Sequence, residues 1–259
     1  MKFKKTRQQG FTLVEMAMVL VILGFVLAAL LLPLQAQRQQ LAQSQTENTL
    51  ELAKQALLGF AQSNGRLPCP ATVASNGLEA PLGGNVFCTS QLGFLPAATL
   101  GVQPTDANGF AIDAWNNRIM YAVAQSSAAT PVNPATPDYT TNNATDGMNI
   151  VGLANLMPEL RVCSTSTGDT AAACSGGAET NYLINNAVAI IYSTGATGVQ
   201  ATGGVDENLN PKTPTNPKSV FVSHDITVAG VPNGEFDHIV TWISPYVLYN
   251  AMIEAGQLH

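Results

Sequence analysis

Charged residues are scarce in this sequence of 259 residues, and positive charge is scarcest outside its first ten positions. Asp, Glu, Lys and Arg make up 11% of the chain, against roughly 25% in soluble domains. Four of the 11 basic residues lie in the first ten positions, which leaves 7 basic against 17 acidic side chains, a balance of −10. Because binding to a phosphate backbone needs clustered Lys and Arg, this deficit argues against nucleic acid as a partner.

Groups that carry catalysis are equally rare. The three histidines, His224, His238 and His259, lie without an adjacent nucleophile, and no Cys-x-x-Cys pair is present. Gly203-Gly204 lacks the following Lys that completes a phosphate-binding loop. The sequence therefore predicts neither an enzyme nor a required cofactor.

One segment near the N-terminus stands out from this sparse background. A basic leader, residues 1–10, precedes an apolar run of 22 residues from Phe11 to Leu32, in which Glu15 is the one ionisable side chain. The run is long enough to span a bilayer, which needs about 20 apolar residues. A carboxylate costs roughly 2.5–3.5 kcal/mol at the bilayer centre and less near the interface, so Glu15 indicates a functional position.

The junction resembles the processing site of type IV prepilins and type II secretion pseudopilins. The shared features are Gly10-Phe11-Thr12-Leu13 followed by Glu15, placed between a basic leader and an apolar run. The resemblance implies that prepilin peptidase cleaves between Gly10 and Phe11 and methylates the new amine of Phe11. Two alternatives fit less well. A secretory signal is shorter and is cleaved after its apolar stretch, and a plain membrane anchor leaves Glu15 unexplained.

The same resemblance implies a role in a filament. The chain would be a structural subunit of a type IV pilus-like or type II secretion pseudopilus filament, stored in the bacterial inner membrane. An inner-membrane platform would assemble it with other pilin or pseudopilin subunits. Glu15 of one subunit would pair with the Phe11 amine of another, because a buried charge is tolerable only when paired. Two alternatives stay open: a minor or tip pilin that binds a surface or a secreted substrate, and a membrane-tethered domain that never polymerises.

The leader cations and the cysteines predict where the chain lies. Lys and Arg beside a membrane span stay on the cytoplasmic side, so we expect a cytoplasmic N-terminus and a head in the periplasm or outside the cell. Oxidising compartments favour disulfides, and four cysteines allow three pairings. We favour the local disulfides Cys69–Cys88 and Cys163–Cys174, because each pair brackets a turn-rich loop.

The predicted fold is α+β, a pilin-like ladle. Its expected parts are the leader (1–10), a transmembrane and assembly helix (11–33), the amphipathic half of the same helix (34–64) and an extracytoplasmic globular head (65–259). The apolar half of the helix would be embedded in the membrane. The amphipathic half would pack on a small antiparallel sheet, completed by long loops and a short C-terminal helix.

Local signals place the ends of both helices. Asn64-Gly65 predicts the end of the long helix, since both residues tolerate the left-handed conformation. Ser244-Pro245 predicts the start of the C-terminal helix, and Gly256 its end. The apolar stripe predicted for the amphipathic half consists of Leu41, Leu50, Ala53, Leu57 and Phe60.

Strand signals occur throughout the head. A hairpin is predicted around Asn116-Asn117, and further strands at 187–192, 220–223 and 236–242. Residues 126–149, rich in Pro, Thr and Asn, predict a long exposed loop. Within the hairpin, Asp113-Ala114-Trp115-Asn116 resembles the Asp-Pro-Trp-Gly of pseudopilin heads but lacks the Pro and the Gly.

An acidic, glycine-rich segment supplies one candidate ion site. Asp206, Glu207 and Asn208 follow Gly203-Gly204, and Asp237 lies near a later strand. Calcium takes six to eight oxygens from carboxylates, amides and loop carbonyls. Major pseudopilins bind calcium in a loop at about this point, so the resemblance makes these four residues candidate calcium ligands. The alternative is a solvated acidic loop that only keeps the protein soluble.

Overall fold

The computed structural model describes residues 10–83, 87–125, 138–170, 173–174, 181–198, 203–215 and 217–259, and the side chains of 28–36 lie outside that description. The chain divides into two compact units, Met1–Ser44 and Gln45–His259. The elements follow in chain order: α1 (Leu13–Asn64), β1 (Leu92–Phe94), α2 (Ala97–Leu100), β2 (Met120–Val123), α3 (Met148–Val151), β3 (Leu160–Cys163), β4 (Tyr182–Ala187), β5 (Ala189–Ser193), α4 (Val205–Leu209), β6 (Val220–Val222), β7 (Ile239–Ile243) and α5 (Pro245–Glu254).

The first unit presents an apolar surface. Every side chain from Gly10 to Leu27 is exposed, and Phe11 is 84% exposed. Within the described residues, the structure has no helix that combines the length and the apolar character needed to span a bilayer. The predicted transmembrane segment, 11–33, extends over residues 28–33, whose side chains lie outside the description.

In the second unit, α1 buries one face. Leu50, Ala53 and Leu57 are buried and share one hydrophobic cluster with the strands of the larger sheet. Burial of these three residues confirms most of the predicted stripe, and Phe60 is half-buried. Leu41 belongs to the first unit and is 62% exposed, so its inclusion in the stripe was wrong.

Both predicted helix ends are confirmed. α1 ends at Asn64, and Gly65 follows with φ 69° and donates its N–H to the carbonyl of Ala61 at 2.8 Å. α5 begins at Pro245, and the Ser244 side chain accepts a hydrogen bond from a backbone N–H of the first turn. These ends depend on local conformation, which the sequence specifies directly.

The larger sheet has four antiparallel strands in the order β1-β2-β5-β7. In its centre Tyr121 pairs with Ile191, and Ile191 pairs with Thr241 on the other side. All five residues of β5 are buried, as expected for a strand covered on both faces. This sheet and the buried face of α1 form the main core of the head.

A second sheet was not predicted. Its order is β4-β3-β6, with an antiparallel pair between β3 and β4 and a parallel pair between β3 and β6. The described part of the head therefore contains two small sheets, one of them mixed, where a single antiparallel sheet was predicted. The parallel pair joins strands that are far apart in sequence, Val162 opposite Phe221, so no local pattern announces it.

Two loop predictions need correction. Around Asn116 the predicted turn is present, with Ile112 bridged to Arg118 and the N–H of Ile119 donating to the carbonyl of Ala111 at 2.9 Å. Its first arm, however, forms only isolated bridges, and only the second arm continues into a strand, β2. Of the loop predicted at 126–149, residues 126–137 lie outside the description. The remainder is not an exposed loop, because Tyr139 is fully buried, its hydroxyl lies 2.6 Å from that of Tyr249, and α3 starts at Met148.

Two disulfides close loops of the head. Cys69 is bonded to Cys88 and Cys163 to Cys174, with Cα–Cα distances of 5.3 and 5.6 Å. These are the two local pairs predicted from the sequence. Disulfides of this kind typically stabilise a fold by about 2–4 kcal/mol, and here they fasten the segment after α1 and the end of β3, the central strand of the second sheet.

Candidate processing and assembly site

Glu15 closes a reciprocal cap at the start of α1. Its carboxylate oxygen Oε2 accepts hydrogen bonds from the backbone N–H of Thr12 at 2.8 Å and from the Thr12 hydroxyl at 2.9 Å. The backbone N–H of Glu15 donates to the same hydroxyl at 3.3 Å. Thr12 is the N-cap and Glu15 the third helical residue, which is the spacing of a capping box. The carboxylate is therefore held at the helix N-terminus by its own chain.

Gly10 and Phe11 lie just ahead of this cap. A Cβ added to Gly10, the first residue that the structure describes, would meet no atom within 4 Å. Phe11 is exposed and precedes the first helical residue. Both residues next to the predicted cleavage point are therefore exposed in the described part of the chain.

The four predicted calcium ligands do not form one group. Asp206 and Glu207 are both buried on α4, but their carboxylates have different partners. Asn208 is exposed, and its amide donates to the carbonyl of Gly203 at 2.9 Å. Asp237, just before β7, lies beside Glu207 and His238, with one potential ligand atom of each within 4.8 Å of the others. The structure brings two of the four together.

Asp206 joins three loops of the head. It accepts hydrogen bonds from the backbone N–H and hydroxyl of Ser166, both at 2.6 Å, and from the Asn233 amide at 3.1 Å. Its other neighbour is His224, with Nε2 at 3.2 Å. Burial alone would raise the pKa of Asp206, but the hydrogen bonds from Ser166 and Asn233 and the nearby His224 keep it below its usual value.

Glu207 lies at the centre of a buried polar cluster. Its Oε1 is 2.5 Å from Lys212 Nζ and 3.2 Å from the Thr197 hydroxyl, and 3.7 Å from His238 Nε2. Asp237 accepts hydrogen bonds from the backbone N–H of Thr197 at 2.6 Å and from its hydroxyl at 3.1 Å. Burial raises the pKa of Asp237, and the negative charge of Glu207 adds to the rise.

His238 lies beside this cluster, with Nε2 3.7 Å from Glu207 Oε1 and without a hydrogen-bond partner among the described residues. The side-chain amide of Asn210 donates from Nδ2 to the carbonyl of Val222 and accepts at Oδ1 from the N–H of Val222, both at 2.8 Å. These bonds fix the amide so that Nδ2 faces His238 Nδ1 at 3.2 Å. Nδ1 therefore accepts, and the proton of the neutral ring is on Nε2. Burial and the positive charge of Lys212 lower the pKa of His238 to about 3, so the ring is neutral. Nε2 offers no free lone pair to a metal ion in this arrangement.

Comparison with known proteins addresses the N-terminal segment. Residues 5–31 match the family model of the prokaryotic N-terminal methylation motif. The chain carries the type IV pilin and pseudopilin signature. A pilin-like protein with this motif is processed by prepilin peptidase, and the motif indicates a structural subunit rather than an enzyme. No curated protein and no solved structure matches the chain significantly.

Asp113 organises the turn in which Asp113-Ala114-Trp115-Asn116 lies. Asp113 accepts hydrogen bonds from the backbone N–H groups of Trp115 and Asn117, and from the Ser193 hydroxyl at 2.5 Å. Asn116 has φ 65°, a conformation that asparagine tolerates better than most residues. Trp115 is half-buried rather than a core residue.

Several residues of these sites were missed from the sequence. Thr12 had a readable signal, because Thr-x-x-Glu before an apolar run is the spacing of a capping box. Thr197 and Lys212 had none, since they reach Glu207 from separate loops. The N-terminal site is therefore specified by residues that are adjacent in sequence. The cluster in the head depends on the tertiary fold.

Proposed function

We propose that this pilin-like protein is a structural subunit of a type IV pilus-like or type II secretion pseudopilus filament. Before assembly it would be stored in the bacterial inner membrane as a single-pass protein, with its N-terminus cytoplasmic and its head periplasmic. An inner-membrane platform would then transfer it into the filament. The observation that carries the proposal is the methylation motif at residues 5–31, together with Glu15 in the first turn of α1.

The apolar surface of the first unit is suited first to a lipid bilayer and then to contact with neighbouring subunits. Side chains from Phe11 to Leu27 are exposed, and almost all of them are apolar. A contiguous apolar surface of this extent indicates contact with lipid or with protein. A bilayer would cover it before assembly, and the helices of neighbouring subunits would cover it afterwards.

Glu15 would exchange partners during assembly. In the single chain its carboxylate is bound by Thr12. Cleavage after Gly10 would create an ammonium group on Phe11, at the same helix end that already has a partial positive charge. In an apolar environment, a pair between this ammonium and Glu15 of the next subunit satisfies both charges. Contacts of this head-to-tail kind do not close on themselves and grow into a helical filament.

The proposal is tested by removing the carboxylate. For Glu15→Ala in the native host, we expect normal cleavage and membrane insertion, because neither requires the partner subunit. We expect the amount recovered in sheared filaments to fall at least about tenfold, the effect of about 1.4 kcal/mol on an assembly equilibrium. Mass spectrometry of the N-terminus, membrane fractionation and immunoblots of the sheared fraction measure these three quantities.

A second exposed carboxylate on α1 provides the control. Glu51 is 55% exposed, and its ion pair with Lys54 is long, at 3.8 Å. Glu51→Ala should enter filaments as the wild type does. Wild-type recovery of Glu15→Ala from sheared filaments would contradict the proposed pairing.

A further inference from the structure

The buried cluster around Glu207 already contains a cation of its own. Glu207 is fully buried, and an ionised carboxylate in such a place is strongly unfavourable without a positive partner. Lys212 supplies it, with Nζ 2.5 Å from Oε1 and a side chain that is only 11% exposed. Lys212 follows the end of α4 by three residues, so the same short segment provides both the carboxylate and its partner.

We propose that the Lys212 ammonium takes the place of a metal ion in this head. In this view the wild-type head needs no metal, and removal of Lys212 converts Glu207 and Asp237 into a site for a hard divalent cation such as calcium. The proposal concerns the folded head alone and does not depend on filament assembly.

The remaining contacts of the cluster fit a cation in place of Lys212. Glu207 Oε2 has no hydrogen-bond partner within the described part of the chain, so this fully buried residue retains an unused acceptor. Asp237 offers one carboxylate oxygen within 4.8 Å of a carboxylate oxygen of Glu207. The Thr197 hydroxyl lies between the two carboxylates, 3.2 Å from Glu207 and 3.1 Å from Asp237. Oxygen donors of these kinds are the ligands of calcium.

The backbone around the carboxylates is closely packed. A Cβ on Gly203 would lie 2.0 Å from Glu207 Oε1, and a Cβ on Gly195 would lie 2.4 Å from Asp237 Oδ1. Glycine at both positions lets the main chain approach the carboxylates, which limits their movement when Lys212 is replaced. His238 does not join as a ligand, because its Nδ1 accepts from the Asn210 amide and its Nε2 carries the ring proton. That Nε2 lies 3.7 Å from Glu207 Oε1 and has no hydrogen-bond partner in the part of the chain that the structure describes.

Thermal unfolding of the full chain in detergent micelles tests the proposal. The wild type should unfold at the same temperature in EDTA and in millimolar CaCl2. Lys212→Met keeps the length of the side chain and removes the charge, so we expect a lower unfolding temperature in EDTA. Calcium should raise it by about 4 °C or more, because a ligand that binds only the folded state stabilises it.

Three further variants make the test specific. Lys218→Met removes a nearby cation that donates to the carbonyl of Leu209, and it should leave the head unresponsive to calcium. Lys212→Arg keeps the charge and should also be unresponsive. Lys212→Met combined with Glu207→Gln should lose the calcium response.

Two results would overturn the proposal. One is a calcium-dependent rise in the unfolding temperature of the wild type or of Lys212→Arg. The other is a folded Lys212→Met that does not respond to calcium. If Lys212→Met does not fold, the wild type and Lys212→Arg still decide the question, because both must be indifferent to calcium and EDTA.

Discussion

Asp138 has an ionisable side chain in a position that disfavours its charge. It is 1% exposed, and its Oδ1 has no hydrogen-bond partner among the residues that the structure describes. The backbone N–H of Gly147 donates to the carboxyl group, but this is outweighed by burial and by the charge of Asp146, so the pKa of Asp138 rises to about 6. In an unfolded chain an aspartate has a pKa of about 3.9. The folded head therefore binds this proton more tightly than the unfolded chain does.

The pH dependence of stability follows from that difference. The pKa of Asp138 is higher in the folded head than in the unfolded chain. Its contribution to the free energy of unfolding is therefore greatest below about pH 4 and is lost as the pH rises through 6. Asp138→Asn should raise the free energy of unfolding near neutral pH by about 1–2 kcal/mol and flatten the dependence between about pH 4 and pH 7. Urea unfolding across this range measures both effects.

An exposed aspartate serves as the control for this variant. Asp225 is exposed, and Asp225→Asn should keep the pH profile of the wild type. If Asp138→Asn shows the same pH profile as the wild type, Asp138 is not the group that binds the proton.

Among the elements, the segment that follows α1 is fastened by one buried ion pair. Arg66 donates to both oxygens of Glu79, at 2.7 and 2.8 Å, and both side chains are 5% exposed. Glu79 also accepts from the backbone N–H groups of Cys69 and Gly83. Burial alone would raise the pKa of Glu79, but the contacts with Arg66 and these N–H groups hold it below its usual value. The pair therefore connects α1 to the disulfide loop that begins at Cys69.

Breaking this pair on one side should be costly. Arg66→Met leaves Glu79 buried and unpaired, and we expect a loss of about 3–5 kcal/mol in the free energy of unfolding. Adding Glu79→Gln should recover part of that loss. The substitution removes the unpaired charge and keeps a side-chain oxygen that can accept from the backbone N–H groups. Chemical denaturation of the two single variants and the double variant gives the coupling between the residues.

An exposed pair on α1 sets the scale for comparison. Lys54→Met breaks the 3.8 Å pair with Glu51 and should change the free energy of unfolding by less than about 1 kcal/mol. If the effects of Arg66→Met and Glu79→Gln simply add, the two residues are not coupled and the ion pair does not fasten the segment.

The elements that could be predicted are those with signals in adjacent residues. Asn64-Gly65 and Ser244-Pro245 specify helix ends through backbone conformation and capping, and both ends are found in the structure. β1 has three residues, and β3 pairs with β6 across nearly sixty positions of sequence. Short strands and distant pairing depend on the tertiary core, which no local pattern contains.

The same distinction applies to the sites. Gly10, Phe11 and Glu15 are neighbours in sequence, so their arrangement at the start of α1 was predictable. The predicted calcium group combined Asp206 and Glu207 because they are adjacent, but on α4 their carboxylates face different loops. Lys212 reached the cluster only through folding. The processing site could therefore be predicted from the sequence, whereas the polar contacts within the head could not.

At the scale of the whole molecule, the two units handle charge in opposite ways. The head pairs its buried charges internally, as Arg66 does with Glu79 and Lys212 with Glu207. The first unit exposes apolar side chains from Phe11 to Leu27 and has one carboxylate among them, Glu15. These two pairs of the head are therefore satisfied within the single chain, whereas the N-terminal segment exposes an apolar surface.

We propose that cleavage between Gly10 and Phe11 makes this chain an assembly-competent subunit. Mass spectrometry of the chain isolated from native-host membranes tests this proposal. We expect the leader to be absent and the N-terminal peptide to begin with N-methylated Phe11. A chain that still begins at Met1, or one cleaved after the apolar run beyond Leu32, would contradict it.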